Sequence, residues 1–219
     1  MQVLQKSLDY IAENPAQFIG TIQEHLFLVL VPVAMAIVVA VPLGILATRY
    51  HWLEKIAVSI TNIVQTIPSL AMLAIMIIVG LGLGNKPAMT ALFFYSLLPI
   101  LRNTLIGIKN VDSFLKEAAT GMGMTNLQLL LMVELPLALS VIMAGIRTAT
   151  VICIGTATLA VYIGAGGVGT YIVRGLQLMQ NHLLLLGVVP AAVMALLADY
   201  LLGKIEYLLI PRGLRAENK

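Results

Sequence analysis

An all-α, polytopic membrane protein of five spans is what this sequence predicts, on three observations. Hydrophobic residues fill 60% of its 219 positions and charged residues 11%, under half the roughly 25% charge of a soluble domain. The apolar residues form continuous runs instead of alternating, which excludes an outer-membrane barrel. Several runs reach the roughly 20 residues that cross a bilayer as a helix. The same numbers exclude other classes. A soluble globule of this size needs more polar surface, and disorder is ruled out. A net charge of +3 spread over 13 basic residues forms no patch for nucleic acid. One cysteine excludes a disulfide framework and a Cys-based metal site.

The elements follow in order. Segment 1–24 has no basic leader and no cleavage motif, so it does not read as a signal peptide. Val3, Leu4, Leu8 and Ile11 share one helical face, which predicts a short interfacial helix. Asn14 and Pro15 read as a cap and a first-turn proline. The spans are 26–47 and 56–80, both uncharged, the second with Pro68 inside it. Then come 87–108 with Arg102 near its far end, 137–163 with Arg147, and 183–202 with Asp199 near its end. The chain is one transmembrane domain, 1–219.

Basic residues between spans set the orientation. Arg49, Lys55, Lys109, Lys116, Arg212, Arg215 and Lys219 fall on one side, and Lys6, Lys86 and Arg174 on the other. The richer side is expected to be cytoplasmic, with the N-terminus outside and the C-terminus inside. The largest non-membrane stretch is then the cytoplasmic loop 109–136, and a loop that long has structure or a job. Asp112 or Ser113 can cap a helix running through Ala119, which Gly121 and Gly123 stop. Thr125 and Gln128 have capping-box spacing, so a second helix is expected there, with Pro136 opening the next segment. A helix pair on a chain with no cytoplasmic domain of its own points to docking with another protein.

The loop resembles that of permease subunits of bacterial ABC importers. Their pattern is Glu-Ala-Ala, three residues, Gly, nine residues, Ile, one residue, Leu-Pro. Here it is Glu117, Ala118, Ala119, then Gly123, then Val133 in place of Ile, then Leu135 and Pro136. Further segments, Gln-Thr-Ile-Pro-Ser-Leu-Ala at 65–71, Leu-Pro-Ile-Leu-Arg-Asn-Thr at 98–104, Gly-Ile-Arg-Thr-Ala-Thr at 145–150, Gly-Thr-Ala-Thr at 155–158 and the glycine run at 163–169, are similar to permeases of osmoprotectant importers. The likeness covers roughly 26 to 202. Methionine-importer permeases share the five-span core. The resemblance implies a type I importer of glycine betaine, carnitine, choline or relatives. Its parts would be two permease subunits (two copies, or this chain and a paralogue), two cytoplasmic ATPase subunits and an extracytoplasmic binding protein, in a bacterial cytoplasmic membrane. ATP and Mg²⁺ would sit on the ATPase, with no cofactor or metal on this chain. Glu117, Ala118, Ala119, Gly121, Gly123, Val133, Leu135 and Pro136 would couple to it.

Pathway or gate candidates are the polar or helix-breaking residues of the spans: Gln65, Thr66, Pro68, Ser69, Asn103, Arg147, Thr148, Thr156 and Thr158. Pro68 frees a backbone carbonyl, which serves either a gate or a packing kink. The hydroxyls either line a polar path or bond their own helices. Arg147 needs a counter-charge, for which Asp199 and Glu134 are available. Its position is either mid-membrane or near the cytoplasmic face. The glycine run reads as a tight re-entrant turn near the outer mouth or as plain turn chemistry. His25, His51 and His182 read as interfacial, Cys153 as a buried hydrophobe. No aromatic cluster suited to a quaternary ammonium group is visible in the sequence. No nucleotide-binding Gly-x-x-x-x-Gly-Lys-Ser/Thr occurs, so transport energy must come from a partner. The rival readings are a methionine or other amino-acid permease and a stand-alone secondary transporter. The latter would want paired intramembrane carboxylates. A membrane-embedded enzyme would need a nucleophile–base pair.

Overall fold

The computed structural model describes residues 2–210. Arg212, Arg215 and Lys219, three of the basic residues that set the expected orientation, lie outside them. The elements are helices α1 (Gln2–Glu13), α2 (Pro15–Arg49), α3 (His51–Thr66), α4 (Ser69–Met76), α5 (Asn85–Lys109), α6 (Ser113–Gly121), α7 (Asn126–Leu129), α8 (Leu135–Ala157), α9 (Gly169–Gln177) and α10 (Asn181–Leu209). A π-helical turn, Leu130–Glu134, joins α7 to α8, and a 3₁₀ turn, Thr158–Ile163, extends α8.

Four helical runs are long and apolar enough to cross a membrane, and a fifth crossing results if α3 and the segment from α4 to Leu81 form one bent span. Three of the expected boundaries change. The run 56–80 is not one straight span: it bends by 102°. Proline pushes the residue before it out of the helical region, and Ile67 has ψ 125° while Pro68 has ψ 141°. Second, residues 15–24 do not form one interfacial segment with 1–13. They are the first turns of the 35-residue α2, which Pro15 starts. At 1.5 Å per residue α2 is about 50 Å long, well over the roughly 30 Å hydrocarbon layer. Third, Pro136 opens no new segment. One helical run extends from Asn126 to Ile163. The π turn just before Pro136 widens the helix where proline can supply no N–H.

α1 keeps Leu4 and Leu8 exposed and turns the buried Ser7 to α10, its hydroxyl donating to the His182 carbonyl at 3.1 Å. Of the expected apolar face of α1, Val3, Leu4 and Leu8 stay outward while Ile11 packs against Tyr171, Leu183 and Leu186.

The bundle is centred on α5, which packs on α2 and α8. Ala36 and Ala40 of α2, Ile100, Leu101 and Ile108 of α5, and Ala138, Ile142 and Ala149 of α8 form one buried cluster. Small residues allow this, as in membrane bundles where van der Waals packing drives association. A Cβ on Gly44 would stand 2.8 Å from the Thr104 side chain, and one on Gly145 would stand 2.6 Å from Asn103 Cβ. A second cluster joins Met72 and Leu73 of α4 to Ala88, Ala91 and Tyr95 of α5 and Ile163 beyond α8.

The glycine run is a turn and a packing surface. Gly164, in the left-handed region at φ +80°, closes the 3₁₀ turn, and the Gly167 N–H donates to the Glu24 carboxylate at 3.2 Å. His25 faces neither lipid nor water: it is fully buried, with Nε2 3.2 Å from the Ile154 carbonyl oxygen. An aromatic cluster invisible in the sequence also forms. Tyr10 and Phe18 meet Tyr171 with ring centroids 5.9 and 6.1 Å apart.

Candidate functional site

The loop between α5 and α8 is built by local hydrogen bonds. Asp112 caps α6, its carboxylate accepting from the Phe114 N–H at 2.9 Å. α6 ends in a Schellman motif: the Met124 N–H donates to the Ala119 carbonyl at 3.2 Å and the Gly123 N–H to the Thr120 carbonyl at 2.9 Å. Gly123 occupies the left-handed position at φ +85°. Gly121 is the last helical residue and stops nothing. The Thr125–Gln128 capping box forms in both directions, with the Thr125 N–H donating to Gln128 Oε1 at 2.8 Å and the Gln128 N–H to Thr125 Oγ1 at 3.3 Å.

Within the motif, Glu117 and Ala118 are exposed, Ala119 is buried, and Val133, Leu135 and Pro136 are half-buried. Large apolar side chains around it face outward: Phe114 is 72% exposed, Met122 74%, and Leu127, Leu131 and Met132 are also exposed. Apolar groups concentrated on a polar loop mark an interaction surface.

Ionic contacts fasten this loop to the helix ends. Glu134, buried in the π turn, accepts from the Arg49 guanidinium at the end of α2. Lys109 at the end of α5 reaches Glu54 of α3 at 2.6 Å. Lys116 of α6 donates to the Ile108 and Lys109 carbonyls of α5 at 3.2 and 3.3 Å. Glu134 is therefore not a counter-charge for Arg147. That guanidinium is held by Asp199, through Nε at 2.8 Å and Nη2 at 3.0 Å, and by Glu206 at 3.0 Å. Both partners lie on α10, between about 5 and 15 Å from its end at the rise of a helix. Arg147 itself stands about 18 Å along α8 from Leu135, near the middle of that helix.

The other singled-out residues divide into groups. Gln65, Pro68 and Ser69 gather at the break beside α5: Gln65 Nε2 donates to the Tyr95 carbonyl at 3.3 Å, and the Tyr95 hydroxyl donates to the Ile67 carbonyl. Asn103 donates to the Pro99 carbonyl at 2.8 Å and packs on Gly145. Arg147 and Thr148 line a groove of about 500 Å³ with Asp199 and Leu196. The hydroxyls of Thr66, Thr148 and Thr158 donate to carbonyls of their own helices, Ile63 at 2.7 Å, Ala144 at 2.9 Å and Gly155 at 2.7 Å. Thr156 is half-buried on α8.

Sequence reasoning missed Arg49, Glu54, Lys116, Glu206 and Tyr95. Only Tyr95 carried a signal: Pro99 lies four residues on, and a proline there leaves the Tyr95 carbonyl without its helical donor.

A helical membrane protein with an exposed, capped helical loop rich in apolar side chains is the class that this fold and this site define. The chain belongs to the family described as the binding-protein-dependent transport system inner membrane component, whose model matches residues 40–212. It is a transport permease subunit with several membrane helices. It is 48% identical to the carnitine transport permease protein OpuCB of Listeria monocytogenes, over 94% of each chain. It is 45% identical to the glycine betaine/carnitine/choline transport system permease protein OpuCB of Bacillus subtilis, over 97% of each, and 46% identical to the choline permease protein OpuBB of that organism, over 95% of each. Its fold matches a chain of the inward-facing MetNI methionine ABC transporter with a TM-score of 0.78 at 22% identity, over 90% of this chain and 99% of that one.

Proposed function

We propose that this chain forms the translocation pathway of an ABC importer for zwitterionic or cationic osmoprotectants such as glycine betaine, carnitine or choline. An extracytoplasmic binding protein delivers the solute, and two ATPase subunits, which carry ATP and Mg²⁺, supply the energy; this chain carries no catalytic group of its own. A second permease subunit, another copy or a paralogue, completes the pathway. The loop end faces the cytoplasm and the N-terminus lies outside.

The observation that carries the coupling role is the loop itself. The capped helix α7 runs continuously into α8, Glu134 ties that run to Arg49 of α2, and Lys116 ties α6 to α5. A push on α6 and α7 is therefore delivered to three spans together. The solute class is supported by relatives at 45–48% identity whose names carry those solutes. Weak, neutral side chains along the spans suit it, since tight binding in a pathway slows release. The test is uptake of labelled betaine, carnitine and choline at high osmolarity, in a strain lacking other osmoprotectant importers, with and without this chain and its partner subunits. Uptake of at least one solute that requires this chain is expected. Unchanged uptake of all three overturns the solute class.

A further inference from the structure

We infer that Gln65 and Tyr95 are positioning residues that lock the break in the second span to α5, so that α3, α4 and α5 move as one unit during translocation. Two prolines create the groups that the lock uses. Pro99 has no N–H to give the carbonyl four residues earlier, and that carbonyl, Tyr95's, accepts from Gln65 Nε2 at 3.3 Å. Pro68 ends α3 at Ile67, and the Ile67 carbonyl accepts from the Tyr95 hydroxyl. Each partner thus supplies a side-chain donor to a backbone acceptor displaced by the other partner's proline. In a membrane such groups must be satisfied within the protein. The Tyr95 ring is buried among Met72, Leu73, Ala88 and Ala91, so the hydroxyl is held at a fixed reach from the break. Pro99 and Asn103, one turn on, pack against Gly145 of α8. The lock therefore stands between the break and the helix that continues from the docking loop.

The role in translocation rests on the transport reading above; the lock itself does not. Tyr95→Phe keeps the ring and removes the hydroxyl; Gln65→Leu keeps the bulk and removes the amide. In the full chain in lipid nanodiscs, amide hydrogen exchange over 64–72 should rise about threefold in either variant, the scale set by losing one membrane hydrogen bond, with exchange in α2 unchanged. The double variant should exchange no faster than the worse single one, because both bonds close one unit. In the assembled importer, maximal uptake should fall several-fold at unchanged half-saturation. Unchanged exchange at 64–72 in Tyr95→Phe overturns the lock, as does loss of the assembled complex, which would make Tyr95 a folding residue. A wild-type importer that carries none of the three solutes overturns the solute reading and leaves the exchange result standing.

Discussion

At Gly123 a φ of +85° turns the chain out of α6, and an L side chain held there costs about 1–2 kcal/mol. A Cβ would meet nothing within 4 Å, so the requirement is conformational rather than steric within this chain. Asparagine tolerates the left-handed region better than alanine. Gly123→Asn is therefore expected to retain more copurifying ATPase and more uptake than Gly123→Ala, though it is larger. The reverse order would mean that the partner's close approach selects glycine. Glu134 gives a second case. Its carboxylate is buried against Arg49, and a hydrogen bond to a charged group contributes about 1.5–3 kcal/mol. Glu134→Ala should leave the chain membrane-inserted and ATPase-bound while uptake drops several-fold. The swap Arg49→Glu with Glu134→Arg should restore part of it, measured as uptake per unit of assembled complex. Asp112, Thr125 and Gln128 were legible in the sequence because caps act within three residues. Arg49–Glu134 spans 85 positions, and no local spacing announces it.

α7, the π turn and α8 form one run of 38 residues with the 3₁₀ turn. Helix propagation makes such a run stiff, and two glycines inserted between Glu134 and Leu135 would break it, each costing about 1 kcal/mol as helix residues. That insertion should leave the ATPase bound and hydrolysing while uptake falls to background, read as the ratio of solute moved to phosphate released. A ratio equal to wild type would show that force reaches the spans without the continuous helix. The sequence reading placed a segment start at Pro136 because proline suits a first turn. The structure absorbs the proline with a π turn, which propensity does not distinguish from a fresh helix start. The second span shows the same limit. Pro68 announces a kink, but neither its 102° amplitude nor the contacts that Tyr95 and Gln65 make around it.

At the scale of the whole molecule, continuous apolar runs made the helical membrane class legible, with four crossings and a fifth if the bent pair is one span, since the bilayer leaves a chain few options. Long-range closure was not legible. The glycine run around Glu24 and His25, the aromatic contacts of Tyr171 and the Glu206 arm of the Arg147 clasp all join residues far apart in the chain, whereas the Asp199 arm was expected because a charge inside a span demands a counter-charge. Orientation is tested with Cys153→Ala as background: a cysteine at Gln2 should react with an impermeant thiol reagent on intact cells, and one at Lys219 only after permeabilisation. We place the docking of the energy-supplying subunit on the exposed loop. Single cysteines at Ala118 and Phe114, on the same background, should cross-link to the ATPase subunit in membranes, and one at Thr170 of α9 should not. ATPase cross-links from Thr170, or none from either loop position in a complex that still transports, would contradict it.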